Sequence, residues 1–282
     1  MKRDYHLNED ILVTFRKELC MEEKSRGTVE KYLHDLKEFG EWLGKKEVTK
    51  ERAILWKDKL TSDGLKPSTI NSKLSALNKL FTFWNRPAWK VRYLKIQKRI
   101  FRNRERELTR DEYQRLILSA REKGKDRLEL LMETICASGI RVSEVKYITV
   151  EAAILGRVDI SMKGKNRTIL LPSKLCRKLL AYAKKQKTAS GEIFLTRGGT
   201  SLSRRQIWAE MKAICEVAHV SAQKVFPHNL RHLFARTFYQ VCHDVVKLAD
   251  VLGHSSIETT RIYLVSSGAE HLRKLEKMKL VL

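Results

Sequence analysis

The sequence has little of several features that mark particular protein classes. Only four of its 282 residues are proline and five are cysteine. No apolar stretch approaches the ~18 residues of a membrane-spanning helix. The N-terminal MKRDYHLNED is polar and lacks the apolar core of a secretory signal peptide. These absences predict a soluble, cytoplasmic protein without a membrane partner.

The cysteines also show no metal-ligand or disulfide pattern. They are odd in number, widely spaced and form no Cys-x-x-Cys pair: Cys20, Cys136, Cys176, Cys215 and Cys242. We expect them to be buried free thiols in a reducing compartment, and we expect no metal site and no cofactor.

Acidic residues are scarce relative to basic ones. The chain has 57 Lys and Arg against 33 Asp and Glu, a formal charge of +24. Such an excess indicates a polyanionic partner, and nucleic acid is the leading class. The imbalance says nothing about the fold.

The length favours two domains, and the 43% of hydrophobic residues can fill both cores. Residues 1–92 read as a helical bundle, in which 29–43 carry an apolar stripe and Pro67 opens a further helix. Thr109 and Glu112 have capping-box spacing and begin a second domain, 107–282.

The segment between the domains, 93–106, is strongly basic. It has one acidic residue and six basic ones: Lys95, Lys98, Arg99, Arg102, Arg104 and Arg106. It could be a solvated linker, but its place in a basic protein favours a strap along DNA phosphates.

The second domain is predicted to be mainly helical with one small antiparallel sheet. In residues 152–172, aliphatic alternation is broken at Gly156-Arg157 and again around Lys163 to Asn166, which indicates tight turns. The fold class is therefore mainly α with a small antiparallel β-sheet.

Several positions in this domain carry candidate chemistry. Arg141 follows a glycine that interrupts a helical pattern, and alone it could be a surface residue. His228 and Arg231 are three residues apart and share a helix face, so two cations there would repel unless an anion lies between them. His254 and Tyr263 follow, and singly each could be structural.

Together these residues resemble the tyrosine recombinase, or phage integrase, family, and the Xer-type recombinases in particular. The resemblance rests on GIRVSE, HNLRH and LGHSSIETTRIY and covers essentially the whole chain. It implies a SAM-like core-binding domain followed by a catalytic domain. It further implies DNA integration, excision or dimer resolution through a 3'-phosphotyrosyl intermediate, with no metal.

The resemblance also implies a role for each matching residue. Tyr263 would be the nucleophile, Arg141 and Arg231 would clamp the phosphate, and His228 and His254 would hydrogen-bond it and assist the tyrosine proton. Lys163 would protonate the leaving 5'-oxygen, although its hairpin is one residue longer than usual in the family. Lys165, an expected DNA contact, is the alternative acid.

Physical chemistry supports this division of labour. Phosphoryl transfer depends on positioning and on stabilising charge on the phosphate oxygens, which two permanently charged guanidiniums do well. A tyrosine with a pKa of about 10 needs a base or a cationic pocket.

The resemblance also extends to assembly. Leu272, Leu275, Met278 and Leu282 give the C-terminal tail an amphipathic pattern. The tail could fold back on its own domain, or it could dock on a neighbouring subunit and link four copies on two DNA duplexes. An accessory protein is also conceivable for such a system.

A type IB topoisomerase-like enzyme and a non-catalytic DNA-binding module are the alternative functions.

Overall fold

A computed structural model describes residues 5–96, 104–162, 165–254 and 256–261, together with 263, 272 and 276–278. For 104, 161, 162, 165 and 166 the description covers the backbone alone. The chain divides into two compact units, Met1–Lys98 and Arg99–Leu282. The division lies inside the segment 93–106, and the exact domain boundaries at 92 and 107 stay predictions.

The first unit is a bundle of four helices. They are α1 (Glu9–Met21), α2 (Arg26–Leu43), α3 (Lys50–Ser62) and α4 (Pro67–Phe83). The side chains of Asn8, Ser25 and Thr49 cap the first three, and Pro67 opens the fourth as predicted.

Each helix of the bundle contributes a large aromatic side chain to one core. Phe15, Phe39, Trp56 and Phe81 come from α1, α2, α3 and α4 in turn, and all are buried. Burial of such a side chain contributes about 1.5–3 kcal/mol. The stripe predicted on α2 is confirmed, because its members are buried or pack against this core: Val29, Tyr32, Leu33, Leu36, Phe39, Trp42 and Leu43.

The second unit is mostly helical. Its helices are α5 (Arg110–Glu122), α6 (Asp126–Ser138), α7 (Val150–Leu155), α8 (Ser173–Lys185), α9 (Arg204–Lys212), α10 (Pro227–Cys242), α11 (Val245–Leu252) and α12 (Ile257–Arg261). The capping box of Thr109 and Glu112 begins α5 as predicted.

Two antiparallel strands, β1 (Arg157–Met162) and β2 (Lys165–Leu170), form the sheet. The fold class is thus confirmed. The sheet is shorter than the alternation indicated, since residues 152–155 belong to α7. The Thr149 side chain caps that helix, and Gly156 ends it in the left-handed region at a φ of 69°. Residues 152–155 therefore form a helical turn that buries Ala152 and Ala153 and leaves Ile154 and Leu155 exposed.

The core of the second unit centres on α6, which packs against α5, α8 and α10. Gly139 ends α6 with a φ of +64°. A Cβ at this position would lie 2.4 Å from the ring of Phe234 on α10. The helices can therefore approach each other closely where the chain turns toward Arg141.

All five cysteines are free. Cys176 and Cys215 are buried, but Cys20 and Cys242 are exposed, so the expectation that all are buried was wrong. Both lie in the last turn of a helix, α1 and α10 respectively, beside the exposed Met21 and Val241. Among the described residues, no helix is long and apolar enough to cross a membrane.

Candidate active site

One pocket of the second unit, of about 800 Å³, brings the predicted chemistry together. Five of the six predicted catalytic side chains line it: Arg141, His228, Arg231, His254 and Tyr263. The sixth, Lys163, lies outside the described residues. The roles of these residues stay predictions, but a single chain supplies the five side chains.

The first two turns of α10 carry His228 and Arg231, both of which line the pocket. Arg231 is only 2% exposed, and burial lowers its pKa to about 10, helped by Arg141 and Arg167 and opposed by Tyr263. It therefore stays charged at neutral pH. Burial, followed by the charges of Arg231 and Arg141, lowers the pKa of His228. The repulsion expected between His228 and Arg231 thus contributes to the shift, which favours the neutral imidazole at neutral pH.

The C-terminal end of α11 gathers three arginines. Three successive backbone carbonyls accept a hydrogen bond from one guanidinium each: Val251 from Arg167 at 2.9 Å, Leu252 from Arg231 at 2.6 Å and Gly253 from Arg141 at 3.1 Å. The negative end of the helix dipole stabilises cations at this place. Arg231 also donates to the carbonyl of Gly139.

Glu144 is a site residue that the sequence interpretation missed. Its carboxylate accepts from the backbone N–H of Arg141 at 2.9 Å, from Nη1 of Arg141 at 2.9 Å and from Nη1 of Arg167 at 2.8 Å. Burial raises its pKa, but these bonds and charges outweigh burial and the pKa is lowered overall. The spacing of Glu144, three residues after Arg141, was the available sequence signal.

His254 is held in a defined tautomer by two neighbours. Its Nε2 lies 3.0 Å from Nη2 of Arg231, and its Nδ1 lies 2.8 Å from Oγ1 of the buried Thr260. A guanidinium can only donate, so Nε2 accepts and the proton resides on Nδ1. Burial, with Arg231 and Arg141 next in effect, lowers the pKa of His254 to about 4.

Tyr263 is 4% exposed and is enclosed by imidazole rings. The His254 ring stacks on it at 5.8 Å, and the His228 ring is 6.5 Å away. His232 makes the closest ring contact, edge to face at 4.4 Å. Burial lowers the pKa of His232 to about 3, so this ring is also neutral. The second histidine of HNLRH is thus a second residue that received no role from the sequence.

Helix α9 supplies one rim of the pocket. Arg204, Arg205 and Trp208 line it, and all three are exposed. The Nζ of Lys212 lies 5.3 Å above the Trp208 ring and supports it from within the same helix. These residues were absent from the predicted DNA contacts.

The predicted DNA contacts are only partly visible. Lys95 and Arg106 are exposed. Lys98, Arg99 and Arg102 lie outside the described residues, and the side chains of Arg104 and Lys165 are not described. Within the described part of the chain, no cluster of three or more His, Cys, Asp or Glu side chains could hold a metal ion.

Comparison with known families accounts for most of the chain. The Phage integrase family matches residues 106–270, and the Phage integrase, N-terminal SAM-like domain matches residues 12–86. Among similar sequences, tyrosine recombinase XerA of Pyrococcus furiosus is 29% identical and covers 96% of this chain and 94% of its own. XerA of Thermococcus kodakarensis is 30% identical, with 96% of each chain covered.

Solved structures with the same fold include recombinases on DNA. A lambda integrase dimer bound to a COC' core site matches with a TM-score of 0.72 at 19% identity, covering 91% of this chain and 94% of the other. XerH bound to its difH substrate matches with a TM-score of 0.68 at 18% identity, covering 97% and 90%.

Proposed function

Because the chain belongs to the phage integrase family, it is a site-specific recombinase that cuts and rejoins DNA strands, and we propose that Tyr263 is its nucleophile. The observation that carries this proposal is the pocket itself. In it one phenol lies beside two guanidiniums and two imidazoles, and a third imidazole, that of His232, contacts the phenol ring. Burial lowers the pKa of all three imidazoles. Each subunit would then cleave with its own tyrosine.

In the proposed cleavage step, residues of this chain supply the nucleophile, the base and the acid. The Tyr263 oxygen attacks the scissile phosphorus while its proton passes to neutral His228. The bond to the 5'-oxygen breaks, and Lys163 gives that oxygen a proton. The phosphodiester is retained as a 3'-phosphotyrosyl ester, so the 5'-hydroxyl of another strand can reverse the reaction without ATP.

Arg141 and Arg231 bind the non-bridging oxygens in this scheme. Their carbonyl partners hold them in place before DNA arrives, so the charge that develops on the phosphorus meets donors that need no reorganisation. His254 keeps the Arg231 guanidinium oriented through Nε2 and faces the ring of the nucleophile.

The DNA-binding surface in this proposal has three parts. The basic segment, from Lys95 to Arg106, lies along phosphates, and Lys165 contacts the backbone near the scissile position. The exposed rim on α9, with Arg204, Arg205 and Trp208, meets the DNA beside the pocket, where guanidiniums bind phosphates or bases and the indole packs on a sugar or base.

Four copies assemble on two duplexes. The exposed Leu272 and Met278 support this arrangement, since they are 57% and 55% exposed in the single chain. Leu275 and Leu282 lie outside the described residues. A lambda integrase tetramer bound to a Holliday junction shares the fold, with a TM-score of 0.72 at 18% identity.

A topoisomerase or a non-catalytic module is disfavoured, because the matched relatives are recombinases along nearly their whole length.

Strand exchange between duplexes of unequal length tests the function. A duplex is first selected from a random-sequence library for binding to this protein, and is hereafter the selected duplex. We expect two such duplexes with flanks of different length to give recombinant lengths in EDTA without ATP. Relaxation of any supercoiled plasmid with no exchanged product would instead favour the topoisomerase.

A substrate with a sulfur leaving group identifies the residue that protonates the leaving 5'-oxygen. We expect Lys163→Ala to slow cleavage of the selected duplex by about 10²- to 10⁴-fold, the usual contribution of a general acid. A 5'-bridging phosphorothiolate leaves as a thiolate and needs no proton, so it should restore cleavage. Lys165→Ala is the matched control and should cleave both substrates alike. If only Lys165→Ala shows the loss and its rescue, the role belongs to Lys165.

A further inference from the structure

Arg167 on β2 is a buried cation that the cleavage scheme does not use. Its side chain is 9% exposed. One terminal nitrogen donates to the Glu144 carboxylate at 2.8 Å and the other to the Val251 carbonyl at 2.9 Å. Its Nε is buried without a hydrogen-bond partner among the described residues.

Stability alone does not account for this residue. Burial lowers the pKa of Arg167, and the charge of Arg141 lowers it further, although Glu144 partly compensates. Buried ion pairs with an unpaired polar atom are commonly no more stable than well-packed apolar residues. A buried guanidinium beside two others therefore calls for a function.

Both groups that hold Arg141 are also in contact with Arg167. Glu144 binds the backbone N–H and Nη1 of Arg141, and Gly253 accepts from its Nη2. Arg167 binds the same carboxylate, and its stem lies against Gly253, where an added Cβ would be 2.3 Å from its Cδ. Since Gly253 has a φ of +60°, this close packing requires glycine.

We propose that Arg167 is a positioning residue that fixes Glu144 and Gly253, and through them aims the Arg141 guanidinium at the scissile phosphate. The proposal rests on the proposed function. It also joins β2 to the end of α11, which leads to His254. Arg167 itself touches no reacting atom in this account.

A double-mutant cycle tests the proposal. The rate of covalent-complex formation is measured in a single turnover on nicked versions of the selected duplex, for wild type, Arg167→Gln, Arg141→Lys and the double variant. We expect Arg167→Gln to be slower by about 10²-fold, the effect of a small misplacement in an active site. In the Arg141→Lys background the same substitution should have little further effect, because its target is already lost.

Two further variants keep the result interpretable. Arg157→Gln changes an exposed arginine on β1 that pairs with Asp159 at 3.1 Å, and it should cleave like wild type. Arg167→Lys keeps a cation for Glu144 but cannot also reach the Val251 carbonyl, so we expect an intermediate cleavage rate. If Arg167→Gln does not fold, Arg167→Lys takes its place in the double-mutant cycle.

Results that contradict the role of Arg167 differ from results that contradict the proposed function. The positioning role would be overturned if the fold-loss in rate of the double variant equalled the product of the two single losses. A wild-type rate for Arg167→Gln would overturn it as well. Failure of the wild-type protein itself to form a covalent complex would instead contradict the proposed function.

Discussion

Tyr263→Phe is expected to abolish covalent capture of DNA while leaving binding to the selected duplex nearly unchanged. The substitution removes the one oxygen that attacks phosphorus, whereas the ring contacts with His232 and His254 remain available to phenylalanine. Because Tyr263 is buried and its hydroxyl is not proposed to bind the ground-state phosphate, binding should not suffer. Denaturing gels of reactions on nicked duplex measure capture, and mobility shifts measure binding.

Tyr239→Phe is the matched control. Tyr239 lies on α10 and packs against the same small core as Tyr263. We expect its loss of a hydroxyl to leave capture at the wild-type level. Capture by Tyr263→Phe at an undiminished rate would show that another group is the nucleophile.

Arg231→Ala is expected to reduce the cleavage rate by at least about 10³-fold, the upper range for loss of one donor to a developing anion. This residue combines a phosphate-binding role with several structural bonds. Its removal leaves the carbonyls of Gly139 and Leu252 and Nε2 of His254 without their donor. A lysine has the charge but not the planar fork, so Arg231→Lys should also be strongly impaired.

Stability must be separated from chemistry in this experiment. Unpaired buried carbonyls are destabilising by about 1–3 kcal/mol each, and thermal unfolding will report this. Arg236→Ala is the matched control, since Arg236 is a half-buried arginine of the same helix that binds Glu107 and the Leu108 carbonyl outside the pocket. It should lose stability and keep the single-turnover rate. Equal single-turnover rates for Arg231→Ala and Arg236→Ala would show that Arg231 does not bind the phosphate.

The sequence predicts the parts of this molecule that local patterns determine. Pro67, the capping box at Thr109 and the stripe on α2 all lie where periodicity and capping place them. The predicted order of Arg141, His228, Arg231, His254 and Tyr263 also corresponds to one pocket. The resemblance to the family grouped these five residues, since singly their local patterns were equally compatible with structural roles.

What the sequence does not predict depends on contacts between distant segments. Arg167 meets Val251 across 84 residues and Glu144 across 23. His232 faces Tyr263 only after α10 and the turn beyond α12 have packed together. The lowered pKa of His228 likewise follows first from burial, which its helix spacing does not show, and only then from the charges of Arg231 and Arg141. Such electrostatics arise from the tertiary structure.

Mass spectrometry of the trapped complex identifies the residue that is esterified to DNA. Wild-type protein is reacted with nicked selected duplex, the DNA is digested to a short stub and the protein is cleaved with trypsin. We expect a nucleotide adduct on the peptide 262–273, whose single tyrosine is Tyr263, with fragment ions that place it on the phenol. An adduct on another residue, or none in a complex that gels show to be covalent, would contradict the role of Tyr263 as the nucleophile.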